Sequence, residues 1–148
     1  MPILAINKRA SFDYKILEKY EAGLVLTGPE VKSIKTGHIS LKESFVTLKK
    51  NELYLTNAYI APYKFSGKIN NYEPTQPRKL LLKKNEIKTL IGKVKTKGLT
   101  LVPLRVYTKK RLIKLEFAVA QGKKEYDKRE NIKKKESQRK KNRILKRY

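Results

Sequence analysis

Asp13, Glu18, Glu21 and Glu30 fall close together near the start of the chain, and grouped carboxylates are a usual means of general acid–base chemistry. Here that chemistry lacks companions. The sequence has no G-x-G-x-x-G, no phosphate-binding G-x-x-x-x-G-K-[ST] and no G-x-S-x-G elbow. Cysteine is absent, which removes both a disulfide framework and a thiolate metal site. The single histidine, His38, follows Gly37 and suits a helix end better than a metal or a catalytic pair. No cofactor is called for. In a basic chain a few carboxylates ordinarily serve salt bridges. The sharper alternative concerns Glu21, beside Ala22-Gly23, which could accept hydrogen bonds from a base edge or a ribose 2′-hydroxyl. A carboxylate repels phosphate, so on an RNA-facing surface it is tolerable only where it reads something specific.

The other candidate chemistry is cationic. The chain of 148 residues carries 37 Lys/Arg against 13 Asp/Glu, a formal charge of +24. Residues 123–148 hold 13 Lys/Arg and 4 Asp/Glu, a net +9, which leaves +15 on residues 1–122. Both parts are basic, which points to nucleic acid first and an anionic membrane surface second. The membrane reading is weak: no apolar run approaches the roughly 18 residues of a spanning helix, and the tail has no apolar face to insert.

After Gly122 the tail has no glycine or proline, and its large apolar side chains are Tyr126, Ile132, Ile144, Leu145 and Tyr148. These are too sparse to bury a helix face, and like charges at helical spacing repel. The composition therefore predicts a tail unfolded on its own and helical along a polyanion. Lys123, Lys124, Lys133, Lys134 and Lys135 would be solvated charge in an ordinary protein; in a chain this basic they are better read as polyanion contacts. Tyr126 stands between Glu125 and Asp127 without apolar neighbours, so a base-stacking or hinge role competes with plain exposure. The remaining aromatics can stack on unpaired bases, but Phe45, Tyr107 and Phe117 sit in strand patterns and are read as core.

The elements that must position these residues are mostly strands. Phe12 to Leu26 is strand-like, and Gly23 within it predicts a bulge or a close backbone approach. In T-G-P-E-V-K-S-I-K-T-G, Pro29, Glu30 and Gly37 mark a two-turn helix with Val31 and Ile34 inward. Phe45 to Ile60 reads as a hairpin turning at Lys49 to Glu52. Ala61 to Gln76 reads as a long, basic, mobile loop. Ile87, Leu90, Ile91 and Val94 give a helix stripe closed by Gly98. Leu99 and Leu101 change parity with Leu104 and Val106 across a bulge, and Ile113, Leu115, Phe117 and Val119 form the return strand. The sum is a mainly β, α+β chain of five or six strands and two short helices. The expected fold is a small closed or partly closed antiparallel barrel of the oligonucleotide-binding kind, spanning 1–122 and followed by the basic tail 123–148. The chain begins with apolar residues before basic ones, the reverse of a secretory signal; with the missing cysteine this fits a cytoplasmic location.

N-K-R-A-S-F-D-Y (7–14), E-A-G-L-V-L-T-G-P-E-V-K-S-I-K (21–35), Y-I-A-P-Y (59–63), R-K-L-L-L (78–82), G-L-T-L-V-P-L (98–104) and G-K-K-E-Y-D-K-R (122–129) occur in the order seen in one family. Across essentially its whole length the chain resembles the SsrA-binding protein (SmpB) family. The resemblance implies an oligonucleotide-binding-type barrel that holds the tRNA-like domain of transfer-messenger RNA and takes it to stalled bacterial ribosomes. It implies that the tail lies as a helix in the empty messenger channel and decoding site of the small subunit, and that elongation factor Tu is met through the charged RNA. Carried over residue by residue, Asn7, Lys8 and Arg9 match an RNA-contact motif, as do Glu21 and Lys32. Arg78 and Lys79 match a further surface segment, read as RNA-binding, whose leucines read equally well as core. Tyr126, Asp127, Lys128 and Arg129 match the junction that places the tail, and Ile144 and Leu145 match an apolar pair near its end. The reading is a non-enzymatic, monomeric RNA-binding protein. A basic ribosomal or general structured-RNA-binding protein is the alternative, with an RNA-processing enzyme well behind.

Overall fold

The computed structural model describes residues 2–64 and 72–122, apart from the side chains of residues 96 and 97. In chain order the elements are β1 (Ile3–Ile6), α1 (Ala10–Asp13), β2 (Tyr14–Leu24), α2 (Gly28–Lys35), β3 (Ile39–Ser40), β4 (Phe45–Lys49) and β5 (Glu52–Thr56). There follow β6 (Tyr59–Ile60), β7 (Arg78–Leu81), α3 (Lys84–Lys97), β8 (Thr100–Lys109) and β9 (Leu112–Gly122).

Alternating side chains build two hairpins around one core. In β4–β5, Val46 faces Leu55 and Leu48 faces Leu53, with Val46, Leu53 and Leu55 buried. The link is Lys50-Asn51, with φ of 51° and 62°, the left-handed pair that a tight two-residue hairpin requires. In β8–β9, Lys109 pairs with Leu112, and Lys110 and Arg111 repeat that geometry at 49° and 67°. Ile113, Leu115, Phe117 and Val119 enter the main core. Ala118 and Ala120 on the opposite face are buried too. Ala120 joins Ala10 and Val102 there in a small second cluster, against which Tyr14, Ile16 and Leu104 pack.

Seven strands hydrogen-bond in the antiparallel order β1-β8-β9-β2-β7-β5-β4, and β3 pairs with β6 apart from them. The ladder does not close: β1 and β4 are its two ends. The oligonucleotide-binding architecture is thus of the partly open kind. Among the described residues there are nine strand segments and three helices, more than the sequence suggests. β1 is short and only partly covered, so it shows no periodicity, yet it pairs with β8 from Ile3 to Ile6. β7, expected as a lead into the helix, is a strand joining β2 to β5.

Local irregularities also move. The bulge in β2 lies between Ile16 and Glu18 rather than at Gly23. Gly23 takes the close approach instead, since a Cβ there would stand 3.3 Å from the Leu81 Cβ. The β8 bulge falls between Pro103 and Arg105. Phe45, expected in the core, is 45% exposed; Val46 takes the inward parity at that end of β4, which leaves Phe45 outside. Tyr107 and Phe117 are buried as expected. The stripe of α3 buries Ile87 and Leu90, and Gly98 caps it at φ 62°.

Candidate nucleic-acid interface

The capping pattern of α2 does more than start a helix. The Glu30 amide donates to the Thr27 Oγ1 at 3.3 Å, and Glu30 accepts the Thr27 amide in return at 3.1 Å, the reciprocal box that satisfies two helix-start donors. The same carboxylate meets Arg78 in the interior. Arg78 Nε donates to Glu30 Oε2 at 2.8 Å, its Nη1 to the Ala58 carbonyl at 2.7 Å and its Nη2 to the Pro74 carbonyl at 2.9 Å. The Arg78 side chain is 1% exposed and that of Glu30 2%. Arg78, matched by resemblance to an RNA-contact segment, is therefore corrected to an interior brace, because its guanidinium is desolvated and engaged on three sides. Lys79, its neighbour, points out of β7 and stands 3.8 Å from Glu52.

That brace also orders half of the stretch expected to be a mobile loop. Tyr72 donates its hydroxyl to the Ile60 carbonyl at 2.8 Å, and the Ile60 amide reaches the Pro74 carbonyl at 3.0 Å. Residues 65–71 of that loop lie outside the described residues.

All four early carboxylates stand in ion pairs, as the ordinary reading has it. Asp13 meets Arg9 at 3.4 Å, Glu18 meets Lys93, Glu21 meets Lys109 at 3.4 Å, and Glu30 meets Arg78. Glu21 also accepts the hydroxyl of buried Tyr107. That bond, with help from Lys109 and against partial desolvation, holds the Glu21 carboxyl below its ordinary range. Desolvation and the Glu21 charge in turn push the Tyr107 hydroxyl well up, so it stays a proton donor. Burial would raise Glu30, but the Thr27 amide and Arg78 outweigh it and the carboxyl is held low. Both oxygens of Glu21 are thus occupied from within the chain, and an RNA group would share them with, or displace, Lys109.

The N-K-R motif is fixed by its first residue. The Asn7 amide donates to the Leu104 carbonyl at 2.8 Å and its Nδ2 to the Pro103 carbonyl at 2.9 Å. This leaves Lys8 and Arg9 exposed, with the Arg9 guanidinium 5.0 Å from the Phe12 ring. Ile6, just before Asn7, lies in register with Arg105, then Glu116, then Glu21 across β1, β8, β9 and β2. Asn7 and Glu21 therefore flank one half of the sheet, three strand spacings or roughly 14 Å apart. Lys32 is exposed on α2, 5.5 Å from the Tyr63 ring. His38, at the end of α2, holds Thr36 Oγ1 through Nδ1 at 2.8 Å.

Lys123, Lys124, Tyr126, Asp127, Lys128, Arg129, Lys133, Lys134, Lys135, Ile144 and Leu145 lie outside the described residues; β9 ends at Gly122, opposite Tyr14. Among the described residues no group of His, Asp and Glu could hold a metal ion, and no helix is long and apolar enough to cross a membrane. What sequence reasoning missed is the Glu30–Arg78 pair. Its signal was half visible, in the T-x-x-E capping pattern; the arginine, 48 residues away, carries no spacing signal.

An open, antiparallel, strongly basic barrel with lysines and arginines around it defines a class of small polyanion-handling proteins. The comparisons narrow it. The sequence profile described as "SmpB protein" matches residues 4–147. The SsrA-binding protein of Thermosipho africanus is 51% identical over 148 residues, covering 99% of each chain. That of a Sulfurihydrogenibium species is 56% identical over 137 residues, 93% of this chain and 90% of the relative. Among solved structures, a chain of "tmRNA-SmpB: a journey to the center of the bacterial ribosome" superposes with a TM-score of 0.67 at 49% identity, covering 84% of this chain and 87% of that one. The chain belongs to the SmpB protein family.

Proposed function

We propose that this protein binds the tRNA-like domain of transfer-messenger RNA and brings it to stalled bacterial ribosomes for trans-translation, acting in the cytoplasm as a monomer and without catalytic turnover. The observation that carries this reading is the near full-length similarity to SsrA-binding proteins, together with the superposition on a chain from a tmRNA–SmpB assembly. The globule supplies RNA recognition through Asn7, Lys8, Arg9, Glu21, Lys32 and Lys79. The segment from Lys123 to Tyr148 supplies the ribosomal step, lying in the messenger channel and decoding site as a helix, with elongation factor Tu engaged through the charged RNA.

Removing residues 123–148 tests this division of labour. Binding of transfer-messenger RNA should persist within a few-fold while tagging on stalled ribosomes is lost; binding and tagging that fall together would overturn it. The net charge of +24 also favours a general structured-RNA-binding protein. Sequencing the RNA that copurifies with the protein separates the two, since only the first reading yields one stable non-ribosomal species.

A further inference from the structure

The open seam of the barrel is a cleft of about 1030 Å³ between the Ala5–Ala10 segment and the Ile39–Val46 segment, floored by Thr100–Val102. Its two walls are braced from within. On one side Asn7 is tied to the carbonyls of Pro103 and Leu104. On the other, Ser44 Oγ donates to the Leu41 carbonyl at 2.6 Å and Asn57 Nδ2 to the Glu43 carbonyl at 3.1 Å. That second brace holds Glu43 and Asn57 at φ of 62° and 63°, a left-handed conformation uncommon outside glycine. The cleft thus exists before anything enters it.

The lining combines two chemistries. Phe45 and Ile6 present apolar surface, 45% and 56% exposed, where burial in the core was available to neither. Lys8, Arg9 and Lys42 stand at the same cleft, exposed; Asp13, which pairs with Arg9 at 3.4 Å, and Glu43 line it too, so the phosphate-facing charge falls to Lys8 and Lys42. An exposed aromatic ring in a cleft that lysines also line suits a base with its phosphates, since every base has a face to stack and a backbone charge to neutralise. A stacked duplex would offer its phosphates but not a base face. The chain's own segment after Gly122 starts beside Tyr14, which also lines the cleft.

We propose that this cleft seats one unpaired nucleotide, its base against Phe45 and its phosphates at Lys8 and Lys42. This rests on the reading that the globule binds a folded RNA, and adds that it grips a nucleotide turned out of that fold. The chain contains no tryptophan, so Phe45→Trp in the full-length protein is a single fluorescent reporter placed in the cleft. Its emission should be quenched by hexauridylate in low salt and left unchanged by a blunt RNA duplex of equal phosphate count. Phe45→Ala should weaken hexauridylate binding about tenfold, within the range of a lost base–aromatic stack, while Phe45→Leu, still apolar but without a ring, should lose as much. Circular dichroism melts check that these variants at a half-exposed position remain folded.

Equal quenching by duplex and single strand would overturn the proposal, as would hexauridylate that binds with no change in emission. Emission already quenched without RNA and unresponsive to it would show that the chain covers its own cleft, and would overturn it as well. The two readings fail separately. Wild-type protein that binds transfer-messenger RNA, beside a Phe45→Trp reporter that stays silent, defeats the cleft alone. No such binding, beside a reporter that is quenched, defeats the proposed function alone.

Discussion

Arg78 commits its whole guanidinium to the interior, and the cost of removing it follows from what stays behind. Arg78→Ala leaves the Glu30 carboxylate buried at 2% exposure without its countercharge, a change worth about 3–5 kcal/mol. Urea denaturation should show that loss as a lower midpoint. The pair also sets an acid limb. Glu30 is held low when folded, so its contribution is complete above the ordinary carboxylate pKa of about 4.3. It is lost as the pH falls through the depressed folded value. Glu30→Gln should flatten that part of the stability–pH curve, and a curve as steep as that of the parent would count against the pair. None of this was legible residue by residue: an arginine beside leucines reads as surface, and burial makes sense only once the Ala58 and Pro74 carbonyls converge on it.

At the scale of elements, α2 depends on its first turn. Its eight residues are too few to be stable by propensity alone, so the Thr27–Glu30 box and the burial of Ile34 hold it. Thr27→Ala should cost about 1 kcal/mol and Thr27→Ser much less, read as thermal unfolding midpoints; equal losses would mean that the methyl, not the hydroxyl, matters. Elements with a repeating pattern were legible. The β4–β5 and β8–β9 hairpins and the stripe of α3 follow from alternation and from helical spacing. β1, β7 and α1 were not, because four residues hold too little period to show. Their structure comes from neighbours: β1 from β8, and β7 from β2 and β5. Phe45 was misread for a related reason, since parity along a strand says which residues share a face but not which face is covered.

Over the whole molecule, charge is the dominant long-range property. Residues 1–122 alone carry +15, so RNA affinity should fall linearly on a double-logarithmic plot against salt. Lys8→Ala should make that slope shallower by about one, the signature of one lost phosphate contact. Arg78→Met, where the folded fraction is maintained, should leave the slope unchanged, because a buried guanidinium releases no counterion. A filter-binding titration across salt concentrations measures both.

The sequence by itself determined the polyanion-handling character, the mainly β class, the two hairpins, the α3 stripe and the family. These rest on composition, on periodicities of two and 3.6, and on ordered motifs, all of which are local in the chain. Only the tertiary structure decided that the barrel stays open, that Arg78 belongs inside, that Glu21 is already held by Tyr107 and Lys109, and that Phe45 lines a cleft. Each of those depends on which strands become neighbours and which carbonyls meet, contacts between residues tens of positions apart whose partners leave no periodic trace.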